Sequence, residues 1–134
     1  MSERVAVIDL GSNSARLIIL HIYANGAYNL VYHQKESLRL GEGMGRDQIL
    51  TPAAIDRSLA ALRNFAQMCN IMKADTILAV ATAAVRNARN GPQFLDMAAR
   101  ETGLPIQAIS GETEALLGYL GTINTVDVKD AVLF

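Results

Sequence analysis

Three strand-like apolar runs crowd into residues 5–40, and the breaks between them are too short to hold a crossover helix. Val5 to Leu10 is a short β-branched run, the pattern of a strand buried on both faces. Gly11-Ser12-Asn13-Ser14 interrupts it, and a second run, Arg16 to Tyr23, follows at once. Asn25-Gly26 is a type I′ hairpin signal, because both turn positions need positive φ. A third strand runs from about Tyr28 towards Leu40. The first third of the chain therefore reads as an antiparallel meander.

Beyond residue 40 the period changes. Leu40-Gly-Glu-Gly-Met-Gly45 reads as a flexible glycine-rich loop, since it lacks the spacing and the immediate helix of a dinucleotide loop. Thr51-Pro52 marks a helix start, with Thr51 as N-cap and proline at the first helical position. Ile55, Leu59, Leu62, Phe65 and Cys69 recur at helical steps, with Asp56, Arg57 and Arg63 between them, which predicts an amphipathic helix laid on the sheet. Thr76 to Ala81 is another short strand. Asn90-x-x-Gln93 has the form of a capping box, opening a helix through Phe94, Leu95 and Met97 that Gly103 closes. Pro105 to Ile109 is a further strand, and Ser110 can cap a helix to about Leu120. Asp130 to Phe134 opens one more strand, the pattern expected of a chain that continues in a longer protein. The order βββαβαβα predicts an α/β sandwich on a mixed sheet, and the 134 residues make one domain.

Twelve basic and thirteen acidic residues give a net charge of −1, which argues against a non-specific nucleic-acid binder. An anionic substrate would have to be held locally. The single cysteine, Cys69, excludes an internal disulfide and a multi-cysteine zinc site, and its apolar helical setting predicts a buried structural thiol. His21 and His33 lie on different strands with no partner ligand in sequence. No leader-like segment precedes the first strand and no apolar run could span a bilayer, so a cytoplasmic location without membrane contact is the simplest expectation.

Three segments could carry chemistry. Asp9-Leu-Gly11-Ser12-Asn13-Ser14 sets a carboxylate at a strand end before a small polar turn, whose N–H, hydroxyl and amide groups can donate to phosphate oxygens. Asp9 would repel a bare phosphate, so its sensible role is to hold a divalent metal. An ordinary hairpin turn fits the same residues. In Ala81-Thr82-Ala83-Ala84-Val85-Arg86, small residues leave room for a ligand and Arg86 offers a planar fork to phosphate; a helix start with a surface arginine fits equally. Ser110-Gly111-Glu112-Thr113-Glu114 sets two carboxylates in a first helical turn, where they would complement the helix dipole or, for one of them, orient an attacking water.

The run Val7-Ile8-Asp9-Leu10-Gly11-Ser12-Asn13-Ser14 with Arg16-Leu17 resembles the first phosphate motif of the exopolyphosphatase / guanosine pentaphosphate phosphohydrolase family. Leu40 to Gly45, Ala81 to Asn90 and Ile109 to Ala115 resemble its later segments in the same order. The resemblance implies an actin-like ATPase (ribonuclease H-like) lobe, with antiparallel first strands and helices packed on a mixed sheet. It implies a hydrolase that removes terminal phosphate from inorganic polyphosphate or guanosine pentaphosphate, with Mg2+ at Asp9. Phosphate would be bound by Gly11, Ser12, Asn13, Ser14, Arg16, Thr82 and Arg86.

The family's catalytic glutamate falls on Glu114; the acidic residue before it has become Thr113 and the arginine after the alanine Leu116. A second phosphate loop follows a strand like Ala131 to Phe134 in the family, so residues 1–134 are expected to be an N-terminal lobe truncated before the second lobe. Such a lobe alone should not turn over, and the full-length protein is compatible with a homodimer. A lobe of an ATP-dependent kinase of the same superfamily, or a non-catalytic polyphosphate or nucleotide sensor, are the competing readings.

Overall fold

Alternating side chains along the first strand separate a dry face from a wetter one. In β1 (Ser2–Leu10), Ala6, Ile8 and Leu10 are fully buried, whereas Val5, Val7 and Asp9 point the other way and are half-buried. Burial on both faces was expected. The core explains the difference: the buried helical residues join the Ala6–Ile8–Leu10 face, so only that side is fully dry among the described residues. The computed structural model describes residues 2–111.

β2 (Ser14–Tyr23) pairs antiparallel with β1, and β3 (Tyr28–Ser37) pairs antiparallel with β2. β4 (Thr76–Ala81) lies on the other flank of β1 and parallel to it, and β5 (Ile106–Ala108) continues the parallel set. The five-stranded sheet has the order β3-β2-β1-β4-β5. The meander and the mixed sheet are as expected. The third strand stops at Ser37, short of Leu40, because the N–H groups of Leu38 and Arg39 leave the ladder and donate to Asn13 O, both at 2.9 Å.

α1 (Pro52–Ile71) lays Leu59, Leu62, Phe65 and Cys69 into the core. Thr51 caps it as its sequence predicts, Oγ1 accepting from Ala54 N at 3.1 Å. Ser58 is fully buried on the same face and is satisfied within the helix, its hydroxyl donating to Ala54 O at 2.7 Å. Cys69 is 3% exposed, and burial pushes its thiol above the ordinary range, which fits a structural rather than a reactive group. Thr51→Ala removes the cap and is expected to cost about 1 kcal/mol, read as a lowered unfolding midpoint; a change within experimental error would contradict the cap.

Two turn expectations are corrected. The β2–β3 connection spans the four residues between Tyr23 and Tyr28: Gly26 N donates to Tyr23 O at 2.9 Å, Tyr23 N donates to Ala27 O at 2.8 Å, and Gly26 has φ of 88°. Asn25 does not take positive φ, as a type I′ turn demands; its side chain accepts from Ala27 N at 3.0 Å instead. Asn90 precedes α3 (Gly91–Thr102) but forms no capping box. Its amide grips Leu50, accepting from the backbone N at 2.9 Å and donating to the carbonyl at 3.1 Å. That two-way bond directs the amide to Leu50 and not back to the helix N-terminus. Gly103 closes α3 in the left-handed conformation, as expected.

A short helix, α2 (Ala83–Asn87), separates β4 from α3. Gly91 makes this junction possible, since a Cβ there would lie 2.3 Å from Val85 O. The helix expected after Ser110 and the strand at 130–134 lie outside the described residues.

Candidate functional site

Because β1, β4 and β5 are parallel, their C-terminal ends open on one edge of the sheet. That is where open α/β sheets place their ligands. β1 ends in the Gly11–Ser14 turn, β4 in Thr82 and α2, and β5 in Ile109 to Gly111. All three segments singled out in the sequence thus start from the same edge.

Direct bonds tie the first two together. Thr82 N donates to Leu10 O at 3.0 Å, and Ala84 N donates to Ser12 Oγ at 3.2 Å. A Cβ on Gly11 would lie 3.2 Å from Ser14 O and 3.9 Å from Thr82 Oγ1, so the hydroxyl of Thr82 stands beside the glycine. Thr82 makes no side-chain cap to α2. Ser12 Oγ uses a lone pair on Ala84 and keeps its own proton for a further acceptor.

The turn is oriented by its carbonyls. Ser12 O accepts from Gly41 N at 3.3 Å, and Asn13 O accepts from Leu38 N and Arg39 N. Gly11 N closes the turn on Ser14 O at 3.0 Å. The N–H groups of Ser12 and Asn13 donate to no protein group among the described residues, and the Asn13 side chain is exposed. Carbonyls bonded to the protein and amides left for another acceptor are the polarity an anion requires. The Leu40–Gly45 segment, expected to be only a flexible loop, begins with a structural task in Gly41, which braces the turn while Leu40 is fully buried beside it.

Asp9 and Arg16 stand directly opposite each other on β1 and β2, which puts both side chains on one face of the sheet. Asp9 Oδ1 is shut off from solvent. Among the described residues no three His, Cys, Asp or Glu side chains converge, so an all-protein metal cage is not built there. One hard carboxylate at a strand end does fit Mg2+, which prefers one or two carboxylates plus water and substrate phosphate.

Arg86 sits in α2 and is half-buried. Its Nη1 donates to Ile109 O at 3.1 Å, and a Cβ on Gly111 would lie 4.0 Å from Nη2. Ile109 N in turn donates to Ala81 O at 2.9 Å. The sequence left open a helix start with a surface arginine; the helix exists, and its arginine reaches across to the third segment. Glu112 and Glu114 lie outside the described residues.

The sequence reading missed Arg57, whose guanidinium holds the carbonyls of Leu38 and Arg39 behind the turn. Its helical spacing marks only a polar position, so no local signal could have found this role.

The Ppx/GppA phosphatase family model matches residues 4–133. A Haemophilus influenzae protein provisionally named an exopolyphosphatase is 36% identical over 127 residues, covering 95% of this chain and 39% of that protein. The crystal structure of the Aquifex aeolicus Ppx/GppA family member superposes with a TM-score of 0.88 at 30% identity, over 95% of this chain and 41% of that one. An exopolyphosphatase from Cytophaga hutchinsonii gives 0.86 at 28% identity, over 90% and 38% of the two chains. This chain therefore spans about two-fifths of the length of these relatives and shares their actin-like fold. With the motifs in order, the parallel strand ends in register and the match running nearly end to end, the chain belongs to the Ppx/GppA phosphatase family.

Proposed function

We propose that this chain is the phosphate-gripping N-terminal lobe of a phosphoanhydride hydrolase acting on inorganic polyphosphate or guanosine pentaphosphate. The observation that carries it is the Gly11–Ser14 turn on the edge shared by three parallel strands, where the Ser12 and Asn13 N–H groups donate to no protein group among the described residues and the Thr82 hydroxyl stands beside Gly11. Family membership supplies the reaction class.

In this reading the turn amides, Ser12 and Thr82 donate to the terminal phosphate. Arg16 and Arg86 neutralise its charge from two sides, fixing the phosphorus for in-line attack. Asp9 would hold Mg2+, which when bound spreads the charge on the phosphate oxygens. Glu114 orients the attacking water and takes its proton. A second lobe closes the other wall of the cleft, so residues 1–134 alone should bind phosphate without efficient turnover.

Gly11→Ala puts a methyl 3.2 Å from Ser14 O and tightens the turn against Thr82. It is expected to raise KM about tenfold, as loss of a ground-state phosphate contact does; an unchanged KM would separate the turn from substrate.

The function is tested by following orthophosphate release from polyphosphate and from guanosine pentaphosphate by the protein as encoded, with Mg2+ present. Release from at least one is expected. No release from either, or transfer of phosphate from ATP to an added acceptor instead, would overturn the reading in favour of a sensor or a kinase.

A further inference from the structure

We infer that Arg57 is a positioning residue for phosphate binding, acting through the Leu38–Arg39 backbone on the Gly11–Ser14 turn. The inference rests on the function proposed above and names what holds its binding turn in shape.

Arg57 sits near the start of α1, yet its side chain leaves that helix. Its Nε donates to Leu38 O at 3.0 Å and its Nη2 to Arg39 O at 3.4 Å. The N–H groups of these same two residues both donate to Asn13 O at 2.9 Å. Arg39 is held there with φ of 50°, a left-handed conformation uncommon for a residue with a side chain. Leu38 is 3% exposed and anchors the segment in the core.

The covalent arrangement matters. Leu38 C=O and Arg39 N–H belong to one peptide unit, and Asn13 C=O and Ser14 N–H belong to another. A cation on the first carbonyl polarises the first unit, whose N–H then polarises the second. The guanidinium thus fixes the Asn13 carbonyl, and with it the orientation of the turn, without touching the anion. Arginine suits the task, because a planar fork can hold two carbonyls at once and an ammonium cannot do so in the same geometry.

Arg63 provides a control on the same helix, since its only described ion pair is with Glu101 at the surface, away from the turn. Steady-state phosphate release from polyphosphate would be compared for the wild type, Arg57→Met, Arg57→Lys and Arg63→Met, with amide hydrogen exchange at Leu38 and Arg39 measured alongside. Arg57→Met is expected to raise KM about tenfold with kcat little changed, the signature of lost uniform binding. Arg57→Lys should give a smaller rise, Arg63→Met none, and exchange at the two amides should quicken only in the Arg57 variants. An unchanged KM in both Arg57 variants, or an equal rise in Arg63→Met, would overturn the inference. If Arg57→Met does not fold, Arg57→Lys decides alone. Should the wild type release no phosphate, the functional reading fails separately. Tripolyphosphate affinity of the wild type against the Arg57 variants then decides the positioning role, with equal affinities overturning it.

Discussion

Glu114→Gln in the protein as encoded is expected to slow turnover by roughly 10²- to 10⁴-fold, with substrate binding largely retained. Splitting a phosphoanhydride requires a water held in line with the terminal phosphorus, and a carboxylate can both aim that water and accept its proton. Glutamine keeps the size and some of the hydrogen bonding but loses the basicity. The described residues bring the approach to Glu114 to the right edge: Ile109 N is tied to Ala81 O, and Arg86 bonds Ile109 O. Glu112 is the natural comparison. On the helix that the sequence predicts after Ser110, Glu112 and Glu114 would point in different directions, and the helix dipole alone would account for Glu112. Glu112→Gln should therefore slow turnover far less. Both variants should be assayed together, with binding measured directly; near-normal turnover in Glu114→Gln, or a larger loss in Glu112→Gln, would contradict the assignment.

The largest effect on stability is expected at Phe65. It is fully buried, in a core cluster with Leu59, Leu62 and Cys69 of α1 and the inner residues of β1 and β2. Phe65→Ala removes the ring's transfer free energy and leaves a cavity that the surrounding core closes only in part. Such changes cost about 3–5 kcal/mol. Set against the roughly 5–15 kcal/mol total typical of a domain, that is a large share. Denaturant unfolding of the wild type and the variant measures it. A loss below about 1 kcal/mol would mean that α1 is not locked on the sheet as described.

What the sequence made legible follows from how local each feature is. β4 runs from Thr76 to Ala81, as its apolar run predicts, because a short apolar strand between helices needs no further information. α1 starts where Thr51-Pro52 says it should, because the cap is a contact three residues long. Asn90 differs from its expected role for the opposite reason, since its amide goes to Leu50, forty residues away. Asn25 differs for a local reason: its side chain accepts from Ala27 N within a loop longer than a type I′ turn.

The site divides in the same way. Gly11 to Ser14, Thr82 and Arg86 could each be marked from residue type, each with an ordinary alternative, but their proximity was not legible because it depends on the parallel pairing of β1 and β4. Only then do Ser12 and Ala84, seventy-two residues apart, share a hydrogen bond. Arg57 was invisible because its partners are backbone carbonyls, which carry no sequence signature.

The central claim is that the Gly11–Ser14 turn receives the terminal phosphate, and a tripolyphosphate titration followed by backbone amide chemical shifts tests it most directly. The protein as encoded would be used with Mg2+ present. The account predicts that the Ser12 and Asn13 amides move first and furthest, with Thr82 and the Arg86 side chain following at the same ligand concentration, and with α3 unmoved. Saturable shifts confined to other surfaces, with Ser12 and Asn13 stationary, would contradict it.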